Sequence, residues 1–224
     1  MSAQPDQTSH TPEILARGPW EVADIHANWS EEHFRPSDAQ TLAADRAIQE
    51  LQDRGSPSHD GLAARLVRYA EKDGVLSIDM QPLRWALRLV GEDASQSMAA
   101  LCVTRAADGK WLAGRRAPWV ASWAGRWALG AGGAVDLGES PADTLVRELK
   151  EEWDVAPERV RGEALLRLPH QLVMFVGQAW LSEGAEADVT PDHEHDEYAW
   201  WPSDIDAWPA EGEALATMAR WLSA

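Results

Sequence analysis

The chain has 224 residues, one cysteine (Cys102) and 37 acidic against 20 basic side chains, a formal net charge of −17. A surface of that sign repels phosphate backbones and argues against long nucleic acid as a partner, and a single cysteine excludes an internal disulfide framework. No apolar run approaches the roughly 18–20 residues of a membrane-crossing helix, and the start lacks the basic end and apolar stretch of a secretory signal, so a cytoplasmic protein without a membrane partner is expected.

Residues 1–18 are polar and Pro-containing and read as a disordered tail. Ser37 reads as the N-cap of a helix over 37–54, with Ala44, Ile48 and Leu51 on its apolar face and Gly55 as its stop. Residues 62–69 and 75–80 read as short strands joined by the turn Glu71-Lys72-Asp73-Gly74. Segment 82–90 fits either period, since Leu83, Trp85, Leu87 and Leu89 alternate while Leu83, Leu87 and Val90 share a helical face. The polar stretch 91–96 is the expected boundary between an N-terminal α+β region, 19–95, and a second domain, 96–224.

Beyond that boundary, 97–104 has a buried-strand pattern, Ala107-Asp108-Gly109 a hairpin turn, and 110–114 the return strand. Residues 126–129 and 165–181 supply more strand, broken near Pro169, and 197–201 is a further candidate. An amphipathic helix over 209–223, through Leu215, Met218 and Leu222, closes the chain. Strands with two helices packed on them predict an α/β class.

The densest chemical signal lies at 132–155. Ser140 can cap a helix, Pro141 occupies its first position and Asp143 completes a capping-box spacing. Leu145, Val146, Leu149 and Trp153 then form an apolar stripe. Glu148, Glu151 and Glu152, at i, i+3 and i+4, project together from another face. Like charges at this spacing cost a few tenths of a kcal/mol per pair, roughly, which a divalent cation removes. Hard Mg²⁺ or Mn²⁺ takes one or two carboxylates and keeps positions for water and phosphate. The Gly-rich turn 130–133 lets backbone carbonyls approach the same ions. Without that context, the three carboxylates would be a solvated acidic face.

The spacing is Gly133, five residues, Glu139, seven residues, then Arg147-Glu148-Leu149-Lys150-Glu151-Glu152, followed by Trp153, Asp154 and Val155. It resembles the Nudix box, Gly-x5-Glu-x7-Arg-Glu-U-x-Glu-Glu-x-Gly-U, where U is bulky and apolar. One position departs: Asp154 stands at the second Gly, where a left-handed helix end is expected, a region that Asp enters more readily than most residues.

The resemblance implies an α/β/α sandwich with a mixed sheet over the second domain, preceded by the smaller α+β region. It implies a hydrolase that cleaves a diphosphate bond, with Mg²⁺ or Mn²⁺ as cofactor and a small phosphorylated nucleotide as substrate. Glu151, Glu152 and the Gly132 carbonyl are then metal ligands. Glu148 orients the attacking water or holds a second ion, and Arg147 pairs with Glu139 and Glu148 to keep loop and helix in register. Family members add a later carboxylate, for which Glu197 is preferred here over Glu194. His193 and His195 invite a zinc reading, but no Cys or third His lies nearby in the sequence.

Upstream, Arg115 or Arg116 could grip substrate phosphates or be a solvated strand-end cation. Trp119, Trp123 or Trp127 could stack on a base or sugar, with Trp123 the chosen candidate. Among 13 tryptophans most must pack in the interior. Residues 19–95 are diffusely similar to the N-terminal region of Nudix enzymes acting on UDP-glucose-type nucleotide sugars, which makes nucleotide sugars the leading substrate class. A segment that builds a homodimer interface or extends the sheet is the plain alternative. A Nudix-fold nucleotide sensor without hydrolysis is the functional rival, although such sensors lose box carboxylates that are kept here. A Nudix-related isoprenoid diphosphate isomerase would need a catalytic cysteine, and Cys102 sits in an apolar strand pattern.

Overall fold

The computed structural model describes residues 12–58 and 60–224. Residues 1–11 lie outside it, so the expected tail is untested there. Residues 13–18, expected in that tail, instead begin an ordered strand, β1 (Glu13–Glu21), which buries Ala16 and Trp20 and pairs antiparallel with β9 (Arg159–Arg167). The pattern is readable in hindsight, but only two of its side chains are buried and Pro19 lies inside it.

The first unit continues with β2 (Ile25–Trp29), α1 (Asp38–Asp53), β3 (Leu62–Lys72) and β4 (Val75–Arg84). Ser37 caps α1 in a full capping box: its Oγ accepts from the Gln40 amide and Gln40 Oε1 accepts from the Ser37 amide. The ambiguous stretch 82–90 is neither of the two regular periods throughout. β4 runs to Arg84, and a 3-10 turn, Trp85–Leu89, follows. Strands β2, β4 and β3 form a three-stranded sheet in that order.

The larger sheet has eight strands, including β1 and β9 with β5 (Met98–Arg105), β6 (Trp111–Arg116), β7 (Trp127–Leu129) and β8 (Ala131–Ala134). β10 (Val173–Trp180) and β11 (His195–Trp201) complete it. Its path runs β1-β9-β10-β5-β6-β11, with β7 on β6 and β8 on β5. The β10–β5 pair is parallel and the rest are antiparallel, which makes the sheet mixed.

Side chains alternate across the pleat. Met98, Ala100 and Cys102 of β5 therefore join one core, and Leu101 and Val103 the other. The first core receives Leu145, Leu149 and Trp153 of α2 (Pro141–Trp153), and the second receives Leu215, Ala219 and Leu222 of α3 (Glu213–Ser223). One helix covers each face, giving the expected α/β/α sandwich.

The region 19–95 is not a detached unit. β1 crosses the expected boundary into the main sheet, and Leu66, Leu76, Ile78 and Met80 share the core of α2. Three hydrogen bonds tie the small sheet to the segments before α2 and before β5. The Ala64 amide donates to Val135 O at 2.7 Å, the Leu66 amide to Gln96 O at 2.9 Å, and Trp29 Nε1 to Glu139 O at 2.9 Å. Helix α1 packs Ala44, Ile48 and Leu51 on Leu83, Ala86 and Leu87, in a cluster that reaches Ala134 of β8.

Candidate active site

Helix α2 begins and ends as its sequence requires. Ser140 Oγ accepts from the Asp143 amide at 3.1 Å, and Asp143 Oδ2 accepts from the Ser140 amide at 2.9 Å. At the other end Asp154 is left-handed, with φ 55° and ψ 28°, and its amide still reaches Lys150 O. Asp154 thus takes the left-handed conformation expected where the box has its second glycine.

Before the helix, the Gly-rich segment is a strand and not a turn throughout. β8 pairs with β5 in a register that sets Gly132 opposite Leu101 and Gly133 opposite Ala100. Two of its glycines are forced by contact. Gly130 has φ +66°, and a Cβ there would stand 1.8 Å from Cys102 O. A Cβ on Gly133 would lie 2.0 Å from Glu148 Oε1. The box glycine is therefore the space into which the Glu148 carboxylate fits.

Arg147 is the hub. Its Nε donates to Glu139 Oε1 at 2.8 Å, and Nη1 donates to Glu148 Oε1 at 2.7 Å and to Glu151 Oε2 at 2.9 Å. Its Nη2 donates to Ala134 O at 2.9 Å, which joins helix to strand. Glu139 also accepts from Thr144 Oγ1 at 2.8 Å. Burial alone would raise the Glu139 carboxyl, but hydrogen bonds from Arg147 and Thr144 outweigh it and hold the group below the ordinary carboxylate range.

Glu152 is 4% exposed. Its Oε1 accepts from the Gly132 amide at 2.8 Å, while Oε2 lies 3.4 Å from Arg116 Nη1 and 3.5 Å from His195 Nε2. Burial lifts its pKa well above the usual value despite Arg116 and the Gly132 amide. Burial likewise raises Glu148 to about 7, with Arg147 opposing and Glu151 adding to the rise.

These shifts set the sign of a pH effect. Between about 4.5, where an exposed carboxyl ionises, and about 7 the folded chain binds more protons at Glu148 than the unfolded chain does. Stability of the metal-free protein therefore falls as pH rises through that window. Melting curves in EDTA are expected to move down from about pH 5 to about pH 8, less steeply for Glu148→Gln. A slope identical in the two proteins would contradict the burial of this charge.

A cavity of about 630 Å³ opens over this assembly. Gly132, Gly133, Arg147, Glu148 and Glu151 form one part of its lining, and Arg116, Trp119 and Glu194 another. Segments from the first unit complete it, among them Ser56, Ser58, Trp85 and Arg88.

Several expected site residues stand elsewhere. Glu197 is outside the lining and pairs with Arg115 across β11 and β6, at 3.3 Å. A register shift between His195 and Glu197 turns it there. Glu194 occupies the cavity wall in its place and holds Arg116 Nη2 at 3.0 Å. Arg115 is thus diverted from the cavity. Arg116 reaches it with both sides of its guanidinium already engaged by carboxylates. Trp123 is 49% exposed and also outside the lining; of the three candidate tryptophans, Trp119 lines the cavity, as does Trp85 of the first unit. Trp127 packs against Trp201, with ring centroids 5.4 Å apart.

His193 is exposed and stacks on Trp119, while His195 is buried against Trp153. Among the described residues no three His, Cys, Asp or Glu groups form a preformed cluster around a common point, neither at these histidines nor at the box carboxylates. Cys102 is buried outside the lining, and burial pushes its thiol up to about 12. Both observations remove it as a reactive group.

The NUDIX domain family matches residues 96–221, more than half of the chain. The chain belongs to that family. It is accordingly a Nudix hydrolase of the pyrophosphatase kind, from a family that acts on small nucleotide-type substrates and generally uses divalent metals. Solved structures with a likeness to this Nudix hydrolase include a MutT protein from Methanosarcina mazei Go1, at 24% identity over 57% of this chain and 94% of that one, TM-score 0.43. A Deinococcus radiodurans protein shows 20% identity over 56% and 82%, TM-score 0.43. An Ap4A hydrolase from C. elegans shows 19% identity over 57% and 95%, TM-score 0.39. No curated protein matches the chain. Among the described residues of this Nudix hydrolase, no helix is long and apolar enough to cross a membrane.

Proposed function

We propose that the chain hydrolyses the diphosphate bond of a nucleoside diphosphate joined to a further moiety, with a nucleotide sugar as the leading substrate class. The observation that carries this reading is the convergence of Glu148, Glu151 and Gly132 on one wall of a nucleotide-sized cavity, with Glu152 buried behind them. Cavities of roughly 300–1,000 Å³ suit ligands of that size.

The donor set suits Mg²⁺ or Mn²⁺. Glu148 and Glu151 each give one oxygen to Arg147, and among the described residues Glu148 Oε2 and Glu151 Oε1 have no hydrogen-bond partner. Two hard oxygens facing a cavity are what an ion that keeps several waters requires. Glu148, Glu151, Glu152 and the Gly132 carbonyl would hold it. When bound, the ion supplies an acidified water and offsets charge on the diphosphate.

The remaining work belongs to the chain. Arg147 positions Glu148 and Glu151 and fixes the helix to Ala134. The Gly132 amide orients Glu152. Glu148 lines the cavity beside Glu151 and is placed to orient the attacking water or to hold a second ion. Glu194 is the extra carboxylate at the wall, in place of Glu197. Glu139 acts through Arg147 and does not touch substrate.

The test is hydrolysis of UDP-glucose, ADP-ribose, a dinucleoside polyphosphate and nucleoside triphosphates with Mg²⁺ or Mn²⁺, with products identified. A nucleoside monophosphate plus a second phosphorylated product from UDP-glucose or ADP-ribose is expected. Tight nucleotide binding without cleavage of any compound would favour the sensor reading instead.

A further inference from the structure

The first unit contributes to the cavity through the turn Trp85–Leu89, and the turn is held firmly. The Trp85 amide donates to Gly61 O at 2.8 Å, and the Ala86 amide donates to Asp60 Oδ1 at 2.9 Å. Ala86 and Leu87 are fully buried against α1. What this anchored turn presents to the cavity is Arg88, with its guanidinium carbon 5.5 Å from the Trp85 ring centroid.

Arg88 differs from the other arginines of the site. Arg147 is saturated by carboxylates, and Arg116 is held between Glu152 and Glu194. Nearby Arg84 is paired with Asp45 and Asp60. Among the described residues Arg88 makes neither a hydrogen bond nor an ion pair. Burial opposes its charge, and only the more distant fields of Glu148, Glu194 and Asp136 support it, against Arg116. A rigidly presented, partly desolvated fork with five donors and no acceptor is an unfavourable arrangement until an anion arrives. Planar, bidentate recognition of phosphate oxygens is what a guanidinium does best.

We propose that Arg88 binds a phosphate of the substrate's diphosphate from the first unit's side of the cavity, so that the substrate is gripped by both units. This rests on the hydrolase reading above for the identity of the anion. It assigns a binding role to residues 19–95, which the Nudix match does not cover. Trp85 is the positioning residue that holds the guanidinium over the cavity.

The test compares the parent with Arg88→Ala and Arg88→Lys in two assays. One is Mg²⁺-dependent binding of methylenediphosphonate, a diphosphate whose bridging carbon resists hydrolysis. The other is steady-state cleavage of whichever nucleotide the parent turns over. Arg88→Ala is expected to weaken binding and raise KM by about 10- to 100-fold, with kcat within about threefold, because the grip is the same in ground and transition states. Arg88→Lys should recover part of the loss, since it keeps the charge and not the fork. The melting temperature of Arg88→Ala should hold or rise, because an unpaired cation has been removed.

Binding and KM within about twofold of the parent would overturn the assignment. So would a lowered melting temperature with reduced kcat and unchanged KM, which is the signature of a structural role. A parent that cleaves none of the nucleotides, yet binds methylenediphosphonate in an Arg88-dependent way, would overturn the hydrolysis and leave Arg88 as a diphosphate-binding residue.

Discussion

Glu152→Gln is expected to lower kcat by more than about 100-fold while the melting temperature is kept. The two halves of this expectation have separate causes. Loss of a supporting neighbour of a metal ligand already costs about 10- to 100-fold, and this substitution removes a carboxylate proposed as a ligand itself. Stability is another matter, because the native carboxylate is buried and burial raises its pKa. A neutral side chain of the same shape no longer requires charge to be desolvated, and it can still accept from the Gly132 amide. Turnover with saturating Mg²⁺ and a thermal melt decide the matter. A variant that cleaves as fast as the parent would remove Glu152 from the chemistry.

Arg147→Ala is expected to be the most destabilising single change in the site, by about 3–5 kcal/mol. It removes a cation that touches Glu139, Glu148 and Glu151 together, along with the bond to Ala134 O. Three carboxylates are then left close to one another, and Glu148 remains buried. For a chain of this size the melting temperature should fall by roughly 10 °C, and activity should disappear with the loop geometry. Arg147→Lys keeps the charge but can satisfy only part of a fork that reaches four partners. Its melting temperature is expected to lie between the two. A fall of under about 2 °C for Arg147→Ala would show that the carboxylates do not depend on the hub.

The best-read parts of the chain were those governed by near neighbours. The start of α2 was visible in Ser140, Pro141 and Asp143, since a cap is made by residues three apart. The helical period placed Leu145, Leu149 and Trp153 inward and separated them from Glu148, Glu151 and Glu152, but Val146 of the same expected stripe is 40% exposed. The left-handed end at Asp154 followed from the same local logic, as did the capping of α1 by Ser37.

Local pattern is silent where distant contacts decide. Strand β8, Ala-Gly-Gly-Ala, carries no strand-forming side chain, and it is a strand because β5 lies beside it. Strand β1 is an edge strand with few buried residues, and only β9 shows that it is ordered. Glu194 precedes β11 and Glu197 lies within it, and a register shift against β6 separates the one that lines the cavity from the one that does not. Arg88 carried no local signal at all, because its meaning depends on a cavity wall built by residues far along the chain.

By itself, then, the sequence determined the carboxylate helix, its caps and the class of chemistry, because these depend on spacing within a few turns of one element. Only the tertiary structure decided which side chains outside that helix face the cavity. Arg115 and Glu197 pair at the strand edge, Arg116 is occupied by Glu152 and Glu194, and Arg88 is brought in by the first unit without an ion pair among the described residues. Charge pairing across strands distant in sequence selects among these cations, and no local pattern encodes that selection.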